Sequence, residues 1–302
     1  MAKAFEKRNI KRMDEAVTFI GFGALSIGRD WGMKVADTAR PDEQEAGRVL
    51  NSVLDMGINL VDTASAYHRS EERIGKFISG RRNEYILASK CGEHNDEPAT
   101  YYDFSYGAIK DSIDRSLKLL NTDVIDLMQI HFGLDPEKVI SDGETVRAMK
   151  DAQREGKIRY LGASIDGELA KECIISGDFD VMQMEYHLLN QKNEENINLC
   201  KEKGIGVLIR TGLGRGLLTL RALLMPEDQL KQNSKLNEML KLVDGDADLL
   251  TSLALNFLYK NEGISSVLIG TKNIENLKKN IALLESEVDP QLLKKVIEAG
   301  KK

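Results

Sequence analysis

The sequence predicts a single (β/α)8 barrel. Three observations carry that expectation: hydrophobic patterning that switches between strand and helix periods from about residue 42 onward, eight strand-like runs, and a total length of 302 residues. The runs are FIGFGAL (19–25), INLVDTA (58–64), EYILASK (84–90), VIDLMQIH (124–131), RYLGASI (159–165), VMQMEYH (181–187), IGVLIR (205–210) and ISSVLIGT (264–271). Helix-like segments lie between them. In SYGAIKDSIDRSLKLLN, Ile109, Ile113, Leu117 and Leu120 recur at helical spacing, and DEQEAGRVLNSVLDMG, SEERIGKFI, GETVRAMKDAQREGK, GELAKECIISG, NEENINLCKEKG and ADLLTSLALNFLYKNEG complete the alternation before a closing NIENLKKNIALL. Many of these segments end in Gly, as helix C-termini often do.

The same alternation also allows an open, doubly wound sheet, and the strand count and length favour the barrel over it. With no Pro/Ser-rich linker and no shift in composition, one domain is expected over 1–302. The stretch 219–248 exceeds a normal connection and is expected to carry its own helix or a mobile loop near the barrel mouth.

Composition narrows the function. A formal charge of -6 argues against general affinity for nucleic acid or anionic lipid, since both need clustered Lys and Arg, and the short basic stretch KRNIKR does not change that. No apolar window approaches the length of a membrane span, and the charged start lacks the apolar region of a signal peptide, so a cytoplasmic location is expected. Cys91, Cys173 and Cys200 are scattered and form no C-x-x-C pair, which suits reduced thiols and implies no metal site.

Barrel enzymes work at the C-terminal ends of their strands, so the polar residues there matter most. Asp62, Lys90 and His131 close three successive strands, Gln183 lies within a later one, and Tyr67 sits in the loop after Asp62. Each alone has an ordinary structural reading: a capping Asp, a solvated Lys at a turn, a surface Tyr, a satisfied His. Together they form a proton donor for carbonyl reduction. A phenol titrates near pH 10, an adjacent ammonium stabilises its phenolate, a carboxylate holds that ammonium in place, and an imidazole can orient the substrate oxygen.

These residues resemble the aldo-keto reductase family, over nearly the whole chain. GINLVDTASAYHRSEERIG is similar to the family's signature around its Asp and Tyr, ILASK to the strand bearing its Lys, and DLMQIH to the strand bearing its His. The resemblance implies a catalytic tetrad of Asp62, Tyr67, Lys90 and His131. It also implies a nicotinamide cofactor bound across the barrel mouth without a Rossmann fold. Gly23 and Ala24 of GFGAL would lie beside the cofactor, with Asp62 at the same mouth, and Gln183, helped by Ser164, would bind the carboxamide. Thr211, Leu213 and Gly216 of IRTGLGRGLL would wrap the pyrophosphate. GLGRG is not a dinucleotide fingerprint, because no acidic-tipped strand follows at the usual interval. At the adenosine end, LIGTKNIENLKKN places Gly270, Thr271, Lys272, Asn276 and Asn280 in matching positions. Lys272 at a helix start suits a 2′-phosphate, which leans the expected cofactor toward NADPH, with NADH possible.

The chain departs from the family pattern at several positions. Ile165 follows Ser164 where Asn is common, Arg210 stands where an aromatic usually stacks on the nicotinamide, and His68 replaces a common Gly beside Tyr67. A guanidinium is planar and can stack or bind phosphate, so Arg210 is assigned to the cofactor side. The second basic residue that some family members carry near Asn276 has no match here. Met182 and Met184 are expected to pack against the surrounding helices, and Cys91 to point away from Lys90. The leading expectation is an NADPH-dependent reductase of small aldehydes or ketones. A cofactor-sensing regulatory subunit with little turnover, and redox-neutral sugar chemistry on the same tetrad, are the alternatives.

Overall fold

Strands β1 (Ile20–Gly23), β2 (Leu60–Asp62), β3 (Ile86–Cys91), β4 (Ile125–His131), β5 (Ile158–Ser164), β6 (Val181–Glu185), β7 (Gly206–Arg210) and β8 (Ser266–Ile269) form one closed barrel. Neighbours pair in parallel throughout, and the ring closes where Val267 of β8 registers with Ile20 of β1. The computed structural model describes residues 2–30 and 38–301. Each strand leads to one helix of the outer ring: α1 (Glu43–Asp55), α2 (Ser70–Ile78), α3 (Tyr106–Leu120), α4 (Glu144–Arg154), α5 (Gly167–Ser176), α6 (Glu194–Lys203), α7 (Ala247–Tyr259) and α8 (Ile274–Glu285). The open doubly wound alternative is excluded by the closure.

Local chemistry sets the boundaries. Asp42 caps α1 by accepting from the Glu45 amide at 2.8 Å, and Ser105 caps α3 through the Ala108 amide. Left-handed Asn121 ends α3, and left-handed Gly177 and Gly204 end α5 and α6.

The strand period of two builds two cores. Outward residues such as Val61, Leu87, Met128, Met182 and Met184 pack against the helices in the larger cluster. Inward residues Leu60, Ile86, Ala88, Leu127, Val181, Leu208 and Leu268 fill the barrel, and Ile10, Met13 and Val17 from the N-terminal segment close its base. Continuing each inward row one step toward the C-terminal end gives Asp62 after Leu60, Lys90 after Ala88, Gln129 after Leu127 and Gln183 after Val181. The polar site is therefore the top layer of the same stacked interior.

Three pieces went beyond the sequence expectation. The N-terminal strands Lys7–Arg8 and Val17–Thr18 pair antiparallel, a second hairpin joins Glu93–Asp96 to Ala99–Tyr102, and a helix spans Pro136–Asp142. The stretch 219–248 contains a short 3-10 segment and two helices, Glu227–Gln232 and Ser234–Leu242. The second of these packs on the C-terminal helix Pro290–Lys301.

Candidate active site

The base of the site is a buried ion pair. Lys90 Nζ donates to Asp62 Oδ2 at 2.5 Å and to the Thr63 carbonyl at 2.9 Å, and both charged side chains are almost wholly shielded from solvent. The other oxygen of Asp62 accepts from Gln129 Nε2 and Gln183 Nε2, each at 2.9 Å, and Gln183 also donates to Gln129 Oε1 at 3.0 Å. A buried carboxylate with all these partners is not an orphan charge, which is the condition for a stable interior ion pair. Lys90 holds its proton more firmly than usual: burial opposes the charge most strongly, but the Asp62 carboxylate and Tyr67 together outweigh it.

Tyr67 sits above this pair. Its hydroxyl lies 3.5 Å from Lys90 Nζ, and its ring edge faces His131 with centroids 6.0 Å apart. The loop that carries it is fixed by the chain Thr63 Oγ1 to Ser70 Oγ (2.8 Å) to the Ala24 carbonyl (2.9 Å), and by close approach of Gly28, where a Cβ would stand 2.2 Å from the Tyr67 carbonyl. The phenol is pushed above its ordinary range, because burial outweighs the opposing pull of Lys90. This corrects the expectation that Lys90 lowers the phenol outright. The ammonium offsets a burial cost, and the phenol stays protonated through neutral pH.

His131 ends β4 beside Glu93, a residue the sequence did not single out. Glu93 Oε2 lies 2.9 Å from His131 Nδ1, a close polar contact that falls short of an aligned hydrogen bond and becomes an ion pair only when the ring takes a second proton. Thr100 donates to Glu93 Oε1 at 2.7 Å, and Arg29 approaches the same oxygen at 3.9 Å. Burial holds the His131 imidazole below its ordinary range, against the pull of Glu93.

A cleft of about 660 Å³ opens over these groups and runs across the mouth. Gly23, Asp62, Tyr67, Ser164, Gln183, Arg210, Thr211, Leu213, Gly216, Gly270, Thr271, Lys272, Asn276 and Asn280 all line it, as does His131. Lys90 lies beneath the wall, buried under Tyr67. Ala24 departs from the expectation: it is fully buried, its amide bonds the Asp62 carbonyl at 2.8 Å, and it does not line the cleft. Thr219, Leu220 and Arg221 bring the start of the long 219–248 stretch to the same wall.

Two departures from the family pattern acquire a setting. Arg210 is clamped by Asp166 and by Glu185, the latter at 3.5 Å, with Glu185 held down to about 2 chiefly by His187. His68 adopts a left-handed backbone, and its Nδ1 lies 2.7 Å from Asn95 Oδ1, so it ties the Tyr67 loop to the second hairpin. Cys91 faces away from Lys90, and its thiol, like those of Cys173 and Cys200, is pushed up to about 12 by burial.

Sequence reasoning missed Gln129, Glu93, Arg29 and Phe132. Gln129 was within reach, because it precedes His131 by two on one strand and so shares its face. Glu93 was not. It comes to His131 through Gly92, whose φ of +98° turns the chain and whose missing Cβ makes room for the Phe104 ring.

A closed parallel barrel with a buried ammonium–carboxylate pair beneath a phenol at its C-terminal mouth defines a barrel enzyme, with its polar groups at the strand ends and the phenol on the loop above them. The chain belongs to the aldo/keto reductase family, whose model matches residues 19–300. It is accordingly an NAD(P)H-dependent oxidoreductase acting on carbonyls. It is 31% identical over 289 residues to the uncharacterized oxidoreductase YqkF of Bacillus subtilis, covering 91% of this chain and 90% of that one. L-galactose dehydrogenase of Arabidopsis thaliana is 30% identical, with 88% and 84% covered, and the NADH-specific methylglyoxal reductase of Escherichia coli 28%, with 80% and 84% covered. Among solved structures, aldo-keto reductase AKR11C1 from Bacillus halodurans in its holo form superposes with a TM-score of 0.78 at 29% identity, covering 97% of this chain and 95% of that one.

Proposed function

We propose that the protein is an NADPH-dependent reductase that converts aldehyde or ketone carbonyls to alcohols, with Tyr67 as the general acid. The observation that carries this reading is the buried line from Asp62 through Lys90 to the Tyr67 hydroxyl, opening on the cleft. Lys90 stays charged, so it stabilises the phenolate left when Tyr67 gives up its proton, and Asp62 keeps the ammonium from swinging away. His131 lies at the edge of the phenol ring, where an imidazole can bond the reacting oxygen and orient it.

The residues present suit a dinucleotide. Thr211 Oγ1 and Ser26 Oγ line the cleft and are buried without a hydrogen-bond partner, which is the state of groups that await a polar ligand. Gln183 has committed its amide N–H groups to Asp62 and Gln129, so its Oε1 is the atom left for a carboxamide, beside Ser164 on the neighbouring strand. Thr211, Leu213 and Gly216 would border the pyrophosphate, and Arg210, flanked by two carboxylates, the nicotinamide side. Gly270, Thr271, Lys272, Asn276 and Asn280 would hold the adenosine end, at the start of α8. When bound, the nicotinamide supplies the hydride.

The preference for NADPH rests on Lys272 at that end of the cleft; Lys279 and Arg221 also line the cleft, with Lys279 paired to Asp248 at 2.8 Å. Lys272 donates to the Ala39 carbonyl at 2.5 Å, so a 2′-phosphate has to draw it across. The test is oxidation of NADPH, followed by absorbance with NADH as control, over a panel of aldehydes, ketones and keto sugars. Tyr67→Phe is expected to lower kcat about 10²- to 10⁴-fold while leaving NADPH affinity nearly unchanged. Tight cofactor binding without turnover on any substrate would refute the reductase reading.

A further inference from the structure

We propose that Glu93 is a positioning residue for His131: its carboxylate holds the proton on Nδ1 and leaves Nε2 as the ring nitrogen that meets the reacting oxygen. This deepens the carbonyl-reductase reading and rests on it for the identity of that oxygen.

Nδ1 of His131 is buried, and Glu93 Oε2, at 2.9 Å, is the partner placed beside it. The ring also forms part of the cleft wall, so the nitrogen turned toward the cleft is Nε2. Glu93 is itself a built feature. It is 7% exposed, Thr100 donates to one of its oxygens, and its backbone carbonyl accepts from Ser65 Oγ at 2.5 Å. The hairpin Glu93–Asp96 and Ala99–Tyr102 supplies both Glu93 and Thr100, with Glu93 paired to Tyr102. A carboxylate in such a setting accepts only, so the ring nitrogen that faces it must carry a proton. Apo geometry of catalytic groups is often poorly aligned and tightens when substrate binds, which accounts for the off-axis contact.

The consequence is a division of labour set by pH. With one ring proton, on Nδ1, Nε2 offers a lone pair and accepts from an O–H, which suits a bound alcohol or a hydroxyl beside the carbonyl. With a second proton, Nε2 donates and can polarise a carbonyl oxygen. Glu93 favours that second proton. Asp62 adds to its effect, whereas burial and the Lys90 ammonium oppose it, and the Tyr67 ring packs against the same imidazole with centroids 6.0 Å apart. Glu93 is in turn faced by Arg29, Thr100 and the Tyr102 phenol.

The tautomer is read directly from nitrogen-15 shifts of the imidazole in the wild-type protein at neutral pH, without cofactor or substrate. His131 is identified among the four histidines by a His131→Asn variant. The expected result is a protonated Nδ1 and an unprotonated Nε2. A proton on Nε2 alone would overturn the proposal, whether or not any carbonyl is ever turned over. In Glu93→Gln, which keeps the shape and removes the charge, the titration of His131 and the matching limb of the kcat/KM profile are expected to move to lower pH by about one unit. An unchanged titration would reduce Glu93 to a structural residue. Loss of turnover in wild type on every substrate, with the expected tautomer present, would instead sink the reductase reading and leave Glu93 in place.

Discussion

Glu71 illustrates how a single buried group writes itself into stability. It sits in the first turn of α2, fully enclosed, with Ser89 donating to it at 2.6 Å, and burial raises its carboxyl from an ordinary 4.5 to about 6. A raised folded-state value means that the native protein prefers Glu71 protonated. Its contribution is complete below about pH 4.5 and is lost as pH rises through about 6, a difference of roughly 2 kcal/mol. Glu71→Gln keeps an acceptor for Ser89 without the charge. It is expected to be more stable than wild type by up to about that amount at pH 7 to 8 in urea unfolding, with the gap closing below pH 5. At the cofactor end, Lys272→Met is expected to raise KM for NADPH about 10- to 100-fold with little change for NADH, as loss of a charge-assisted contact would. Equal effects on both cofactors would remove Lys272 from the 2′-phosphate.

Between residues and the whole lie the short connections that aim the site. The loop from Asp62 to Ser70 turns on one glycine outside it: Gly28 packs so tightly that a Cβ would also come within 2.4 Å of the Ser70 amide. Backbone atoms cannot yield cheaply, so Gly28→Ala is expected to cost about 1 to 3 kcal/mol. It should also displace Tyr67, lowering kcat/KM at least tenfold in the NADPH assay. Gly107→Ala is the control, since nothing lies within 4 Å of its Cβ position at the start of α3, and it should leave turnover unchanged. Strands and helices were legible in the sequence because each keeps its own period over many residues. The hairpin 93–102 was not, because EHNDEPATYY carries no alternation of apolar residues, and the stacking of its last residue, Tyr102, on Phe104 and of Phe104 on Phe132, at 6.0 and 6.3 Å, appears only in three dimensions.

At the scale of the molecule, the barrel interior couples stability to the site, because the apolar rows and the polar layer share the same strands. Anything that binds only the folded mouth therefore stabilises the whole. NADPH at a hundred times its Kd should add about 2.7 kcal/mol and raise Tm by a few degrees, and Tyr67→Phe should retain that shift, since the phenol hydroxyl is assigned to proton transfer and not to cofactor binding. A cofactor-induced rise that vanishes in Tyr67→Phe would contradict that assignment. Among the described residues no helix is long and apolar enough to cross a membrane.

The sequence by itself favoured the barrel over an open sheet and marked the strands in order with three polar strand ends, because alternation and periodicity are local; the closure that excludes the open sheet belongs to the tertiary structure. It also placed Tyr67 beside Asp62. The tertiary structure alone decided what those residues do to one another: that burial outweighs Lys90 at the phenol, that Gln129 and Gln183 share one oxygen of Asp62, that Ala24 is sealed away from the cleft, and that Glu93 stands beside His131. Those facts depend on distances between groups far apart in the chain and on how much water each has lost, and neither quantity is written in a local pattern.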